Sequence, residues 1–153
     1  MSEDFEHAKR SLAIKSVTLR QSSVVLADHL DVDEVDFDNA INQGIRGVEK
    51  VRETSIELEE QTVWEYHFFY TCGIRIVEQE SADDIEALVE IRATFNAIYV
   101  AQEQAPKESI EAFAEENVGY HVWPYWRELV QSSCARLNVK CLETPFYLVG
   151  QRK

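Results

Sequence analysis

The sequence has 153 residues, which is enough for one domain with a sizeable core. It carries 28 acidic and 15 basic residues, so its formal net charge is -13, and 45% of its residues are apolar. A chain this acidic repels phosphate backbones and anionic membrane surfaces, and none of its apolar runs is long enough to span a bilayer. These features exclude nucleic-acid binding and membrane insertion.

The N-terminus and the cysteines predict a cytoplasmic protein. No apolar segment of the signal-peptide type follows Met1–Glu6. The three cysteines are an odd number and form no Cys-x-x-Cys pair, which is typical of reduced thiols. We expect a flexible or short helical N-terminus over 1–10, a single domain over 11–149 and a tail over 150–153.

Three segments in the first half of the chain predict strands. After a short helix or frayed lead-in over Phe5–Ala13, the segments Ile14–Ala27, Ile45–Leu58 and Val63–Glu78 are rich in β-branched and aromatic residues. The third is the most distinct, because it begins with a dense aromatic run.

The segment Asp28–Asn39 is acidic and predicts a loop that crosses over the sheet. Its aspartates lack the glycine turn and the terminal glutamate of a calcium loop, so a solvated loop is the better interpretation. Its interleaved apolar residues are Leu30, Val32, Val35 and Phe37.

The segment Ile85–Val100 alternates apolar and polar residues with a period of two. Its alanines and glutamates also suit a helix, but strict alternation favours a strand with one covered face. Four strands are therefore predicted before the pattern changes.

Two helices are predicted after the strands. The first covers Pro106–Asn117, with proline in its first turn, and the second covers Trp123–Leu137, with Pro124 at its start. Apolar residues recur along the second helix at three- and four-residue steps, and Asn138 ends it. Strands followed by helices predict an α+β fold with a four-stranded antiparallel sheet and helices packed on one face.

The sequence contains none of the common catalytic or phosphate-binding motifs, and its four histidines have no metal-ligand spacing. We therefore expect neither an enzyme nor a bound cofactor or metal. The aromatic strand that begins at Val63 is apolar on both faces. Either its residues fill the core, or one face forms a partner or self-association surface.

The segment Trp123–Glu128, which reads WPYWRE, resembles the aromatic-Pro-Tyr-x-Arg-Glu signature of SecB protein-export chaperones, located where their long helix begins. Val63–Tyr66 is similar to the start of the family's third strand, Val17–Ala27 occupies the place of its first strand, and Leu142–Leu148 resembles the stretch after the long helix. The resemblance covers roughly 11–149, and only the proline motif is specific.

This resemblance implies an ATP-independent chaperone that holds unfolded or extended polypeptides in apolar grooves. The clients would be unfolded preproteins in export, or the antitoxin of a toxin–antitoxin pair. The family's edge strands and long helix imply self-association as a dimer or tetramer. A non-chaperone interaction adaptor on the same fold is the alternative.

Two departures from the family bear on its partners. The resemblance implies a second C-terminal helix, for which the residues after Tyr147 leave little room. It also implies acidic residues on the first strand that contact the motor SecA, whereas Arg20–Val25 contains no acid. Residues near Glu78 and Glu80 could supply part of that contact.

Two residue sets follow as candidate sites. The client-binding set combines the crossover loop with the aromatic strand, and the oligomer-interface set lies on the second helix. Client binding is predicted for Leu30, Val32, Val35, Phe37, Trp64, Tyr66 and Phe68, and the interface for Trp123, Trp126, Arg127, Glu128 and Val130.

Overall fold

The computed structural model describes residues 2–28, 30–78, 86–144 and 147. Its elements confirm the predicted α+β fold, with four antiparallel strands and helices. In chain order they are α1 Glu3–Ser11, β1 Ala13–Leu26, β2 Ile41–Leu58, β3 Gln61–Val77, β4 Val89–Ala101, α2 Lys107–Glu116 and α3 Val118–Leu137, with a 3-10 turn at Val32–Glu34.

The sheet has the order β1-β4-β3-β2, so β1 and β2 are its two edges. Strands β2 and β3 form a hairpin, and β4 pairs with both β3 and β1. The segment between β1 and β2 must therefore pass from one edge of the sheet to the other. This confirms the predicted crossover in place of a hairpin.

One face of the sheet carries the core. Alternate residues of β3 and β4 point toward the helices, as the period of two requires. Tyr66, Phe68, Ile91, Ala97 and Tyr99 lie on this helix-side face, and all five are completely buried or nearly so. Burying each large apolar side chain contributes about 1.5–3 kcal/mol. We call the opposite surface the open face of the sheet.

Helices α1 and α2 pack together above the helix-side face. The Ser2 hydroxyl accepts a hydrogen bond from the Phe5 backbone N–H at 3.2 Å, which caps α1. Phe113 of α2 inserts between two sheet residues, with its ring centroid 5.7 Å from Phe68 and 4.8 Å from Tyr99. These aromatic contacts anchor α2 to the centre of the sheet.

Helix α3 begins earlier than predicted. It starts at Val118, so Pro124 lies inside the helix and the predicted proline start is wrong. Proline cannot donate a hydrogen bond to the Tyr120 carbonyl, but Tyr120 is 54% exposed, so water can solvate that side of the helix. The apolar stripe of α3 lies against the core of the single chain, because Trp126 and Val130 are buried.

Strand β4 starts later than predicted. It begins at Val89, and Glu86 and Ala87 lie before it, while Ile85 falls outside the described residues. Val89 pairs with Ile76, one residue before the end of β3. The alternating pattern continues beyond the point where a partner strand is available, so the pattern alone placed the boundary too early.

The end of the chain carries little regular structure in its described part. Residues 139–144 belong to no helix or strand. The predicted tail over 150–153 and the residue Glu80 lie outside the described residues.

Candidate functional site

The predicted client-binding residues separate into a half-buried set and a buried set. The crossover-loop residues and Trp64 are half-buried, which leaves part of each side chain accessible. Tyr66 and Phe68 have no exposed surface and lie in the core. The half-buried residues are Leu30, Val32, Val35, Phe37 and Trp64.

The predicted interface residues also separate. Trp126 and Val130 are buried within the single chain. Trp123, Arg127 and Glu128 line a cavity of about 410 Å³ on the outer side of α3, together with Tyr147. The structure therefore brings three of the five predicted residues together at one surface.

A larger groove lies between edge strand β2 and helix α2, with a volume of about 950 Å³. Val48 and Val51 of β2 form one wall, because their pairing partners on β3 are the helix-side residues Tyr70 and Phe68. Ile110 and other residues of α2 form the opposite wall. The groove exists because β2 extends beyond the surface that the helices cover.

Aromatic residues form the floor of this groove. Tyr66 and Tyr70 border it from below, although both side chains are buried, so a ligand would mainly touch the walls. The Ala105 backbone N–H donates to the Tyr66 hydroxyl at 2.8 Å, which ties the floor to the segment before α2. Burial raises the pKa of Tyr70, so its hydroxyl stays neutral.

The rim of the groove carries charges of both signs. Lys107 and Glu111 form an exposed ion pair at 3.7 Å, and the Gln104 amide donates to Glu53 at 2.8 Å. The Arg46 guanidinium lies 4.6 Å from the centroid of the Tyr147 ring. An apolar interior with a mixed polar rim suits a polypeptide segment better than a single small charged ligand.

Among the strands that the structure describes, β2 has a neighbour on one side only. Its 18 residues are mostly exposed, and it is kinked by a bulge between Val48 and Lys50. A free strand edge presents backbone N–H and C=O groups to which an extended chain can pair. The groove and this edge are adjacent, so one ligand can contact both.

Within the described ranges, no three histidine, cysteine, aspartate or glutamate side chains come together in a way that could hold a metal ion. None of the helices in the described part of the chain is long and apolar enough to cross a membrane.

Most residues of the groove lie outside the predicted client-binding set. Val48 falls within the predicted strand Ile45–Leu58, but neither it nor the residues of α2 that form the opposite wall belong to the predicted client-binding set. A weak signal existed in the amphipathic pattern of α2, where Ile110 and Phe113 lie on one face. Which of these residues would border a groove depends on where the helix lies over the sheet, and the sequence does not encode that directly.

A solved structure shares the fold over nearly the whole chain. It is described as the Mycobacterium tuberculosis Rv1957 SecB-like chaperone in complex with a ChAD peptide from the Rv1956 HigA1 antitoxin. The match has a TM-score of 0.64 and 12% sequence identity, and it covers 98% of this chain and 100% of that one. No protein-family model and no curated protein sequence matches. The resemblance predicted from Trp123–Glu128 is confirmed for the fold, which is that of a SecB-like chaperone.

Proposed function

We propose that this protein is an ATP-independent chaperone that holds an extended, apolar polypeptide segment in the groove between β2 and α2. The observation that carries the proposal is the juxtaposition of that groove with the free edge of β2. Backbone pairing at the edge would demand little of the client's sequence, and the groove would take alternate side chains. The half-buried Val35 and Phe37 of the crossover loop would extend the client surface.

An antitoxin segment is the favoured client class. The structurally similar SecB-like chaperone binds a peptide from an antitoxin. Export through SecA has less support, because Arg20–Val25 carries no acidic residue. We therefore propose a dedicated client rather than a broad set of preproteins.

Strand β1 would provide the self-association surface. Its helix-side residues Ile14, Leu19 and Val24 are 46%, 49% and 41% exposed. A row of exposed apolar side chains along a free strand edge is costly for a monomer in water. A second copy pairing along β1 would cover it. The predicted contacts Trp123, Arg127 and Glu128 of α3 would form a separate surface, because the Trp123 ring centroid lies 5.5 Å from the Arg46 guanidinium of the opposite edge strand β2.

Peptide binding tests the groove directly. We expect Val51→Asp to weaken binding of an extended apolar peptide and to reduce suppression of aggregation of an unfolded client. Val51 is 37% exposed and faces the groove. Ile56 on the same strand is 38% exposed but lies on the open face, so Ile56→Asp is the matched control.

Two results would count against the proposal. Equal loss of binding in both variants would show that the groove is not the site. Failure of the unmodified protein to bind any unfolded chain, combined with tight binding of one folded partner, would favour the adaptor function instead. Co-purification then distinguishes a dedicated client from a broad set of preproteins. For a dedicated client, we expect one abundant small protein to co-purify with the chain.

A further inference from the structure

The open face of the sheet carries positive charge on a strongly acidic protein. The formal net charge is -13, yet six of the 15 basic residues lie on this face. The six residues are Lys15, Arg20, Lys50, Arg52, Arg75 and Arg92. The pairing register places the last four on this face. Lys15 and Arg20 lie at the two bulges of β1, and their contacts with Glu65 and Phe69 place them on the same face.

Three of these cations surround one aromatic ring. The charged groups of Arg20, Lys50 and Arg52 lie 5.9, 5.6 and 5.6 Å from the centroid of the Phe69 ring. Phe69 is half-buried, and the three cations come from both edge strands of the sheet. Cation–π contacts of this kind are weak at exposed sites, about 0.5–1 kcal/mol each, and like charges brought together repel.

Few acidic groups balance this cluster. Among the described residues, the glutamates on this face are Glu65 and Glu90, which are in register, and Glu49 at the β2 bulge, which borders a pocket of this face together with Glu90 and Arg92. Glu65 already has two partners: its carboxylate accepts a hydrogen bond from the Lys15 ammonium at 3.0 Å and lies 2.6 Å from His67 Nε2. The hydrogen bond from Lys15 holds the pKa of Glu65 below its usual range, so this carboxylate stays ionised and paired. Among the residues that the structure describes, neither Arg20 nor Lys50 has an ion-pair partner.

We infer that the open face is a second binding surface, which takes a short acidic segment of a protein partner with an apolar side chain seated near Phe69. Carboxylates of the segment would sit among Arg20, Lys50 and Arg52. Val63 and Ile98 are half-buried on the same face and would widen the apolar contact. This surface lies on the side of the sheet opposite the groove, so it does not depend on the proposed chaperone function.

Charge favours a short acidic segment on this face over a nucleic acid or a second copy of the chain. A long nucleic acid would extend beyond the cation cluster and meet the field of a chain with net charge -13, which repels it. A second copy docked open face to open face would bring its own cation cluster against this one, and like charges would oppose that contact. A short acidic segment stays within the cluster and avoids both penalties.

The test uses a fluorescent peptide in which glutamates alternate with glycine around one central phenylalanine. We expect saturable binding that disappears for the same peptide with glutamine in place of glutamate. Binding should also weaken strongly between about 0.1 M and about 1 M salt, where the screening length falls from about 10 Å to about 3 Å.

Charge-reversal variants locate the site. Arg20→Glu combined with Arg52→Glu should weaken peptide binding by about tenfold or more, since both attractions become repulsions. The matched control is Arg10→Glu combined with Arg136→Glu, which makes the same change in net charge at exposed positions of α1 and α3. Arg20→Gln combined with Lys50→Gln repeats the test without introducing acids, in case the first pair disturbs folding.

Two outcomes would overturn the inference. They are equal weakening in the control variant and tighter binding of a single-stranded oligonucleotide than of the peptide. The groove variant Val51→Asp should retain full binding of the acidic peptide, which keeps this test separate from that of the proposed function.

Discussion

Gly119 of α3 lies directly against the hydroxyl of Tyr70 on β3: a Cβ atom at Gly119 would come within 2.6 Å of the Tyr70 oxygen. The same Cβ would meet the Tyr147 ring and hydroxyl at 2.7 Å. The absence of a side chain therefore lets the first turn of α3 approach the sheet, at the end of the groove where Tyr70 and Tyr147 meet. Gly119 is the second residue of α3.

We predict that Gly119→Ala lowers the free energy of unfolding. Overpacking a core contact costs about 1–3 kcal/mol, while alanine gains about 1 kcal/mol over glycine in a helix. Because Tyr70 is buried and cannot swing away freely, the steric cost should dominate. Urea unfolding measures the difference. Tyr70→Phe in the same background should recover part of the loss, and a more stable Gly119→Ala protein would show that α3 tolerates a wider spacing.

Acidification should destabilise the protein through His121. Its ring nitrogen Nδ1 lies 2.8 Å from the Tyr99 hydroxyl, and burial lowers the pKa of His121 below the ordinary value of 6.5. The unfolded chain therefore binds a proton that the folded chain resists. The resulting stability is fully present above pH 6.5 and is lost as the pH falls through the lower pKa of the folded state.

The measurement is the free energy of unfolding between about pH 7.5 and about pH 5, around the ordinary pKa of histidine. His121→Gln should flatten this pH dependence, because the substituted amide does not titrate. Identical pH profiles for the two proteins would assign the effect to other groups.

Disruption of the β1 edge should shift the oligomeric state. We predict that Leu19→Arg moves the protein toward a monomer in analytical ultracentrifugation, because a charge would then lie within the apolar row along β1. Leu19 is 49% exposed and Leu58, near the end of β2, is 52% exposed. Leu58→Arg therefore adds the same charge at a matched exposure on the other edge strand and should leave the oligomer intact. A monomeric unmodified protein would remove the basis for this surface.

The three cysteines should differ in reactivity. Cys72 and Cys134 are buried, and burial raises the pKa of both thiols, while Cys141 is exposed. The thiolate is the reactive form, so iodoacetamide should modify Cys141 first in the folded protein and all three cysteines after unfolding. Mass mapping of peptides distinguishes the sites. Fast modification of Cys72 without unfolding would indicate that the sheet opens readily.

The central strands could be predicted from the sequence more accurately than the ends of the helices and strands. The aromatic run that begins at Val63 and the alternation that ends near Val100 predicted the two central strands, because a strand buried between neighbours must alternate its side chains. The predicted starts of β4 and α3 were less accurate. The alternating pattern that begins at Ile85 precedes the pairing that starts at Val89, and the proline at position 124 suggested a helix start one and a half turns too late.

The sequence by itself determined the fold class, the acidic crossover and the resemblance carried by Trp123–Glu128, because these depend on local periodicity and composition. The tertiary structure alone decided which side chains share a surface. Phe68 lies in the core because Phe113 of α2 packs against it, and Tyr66 is buried with its hydroxyl bonded to the Ala105 backbone N–H before α2. The groove beside β2 and the cations around Phe69 join residues from distant strands, and such contacts follow from strand order and register rather than from neighbouring residues.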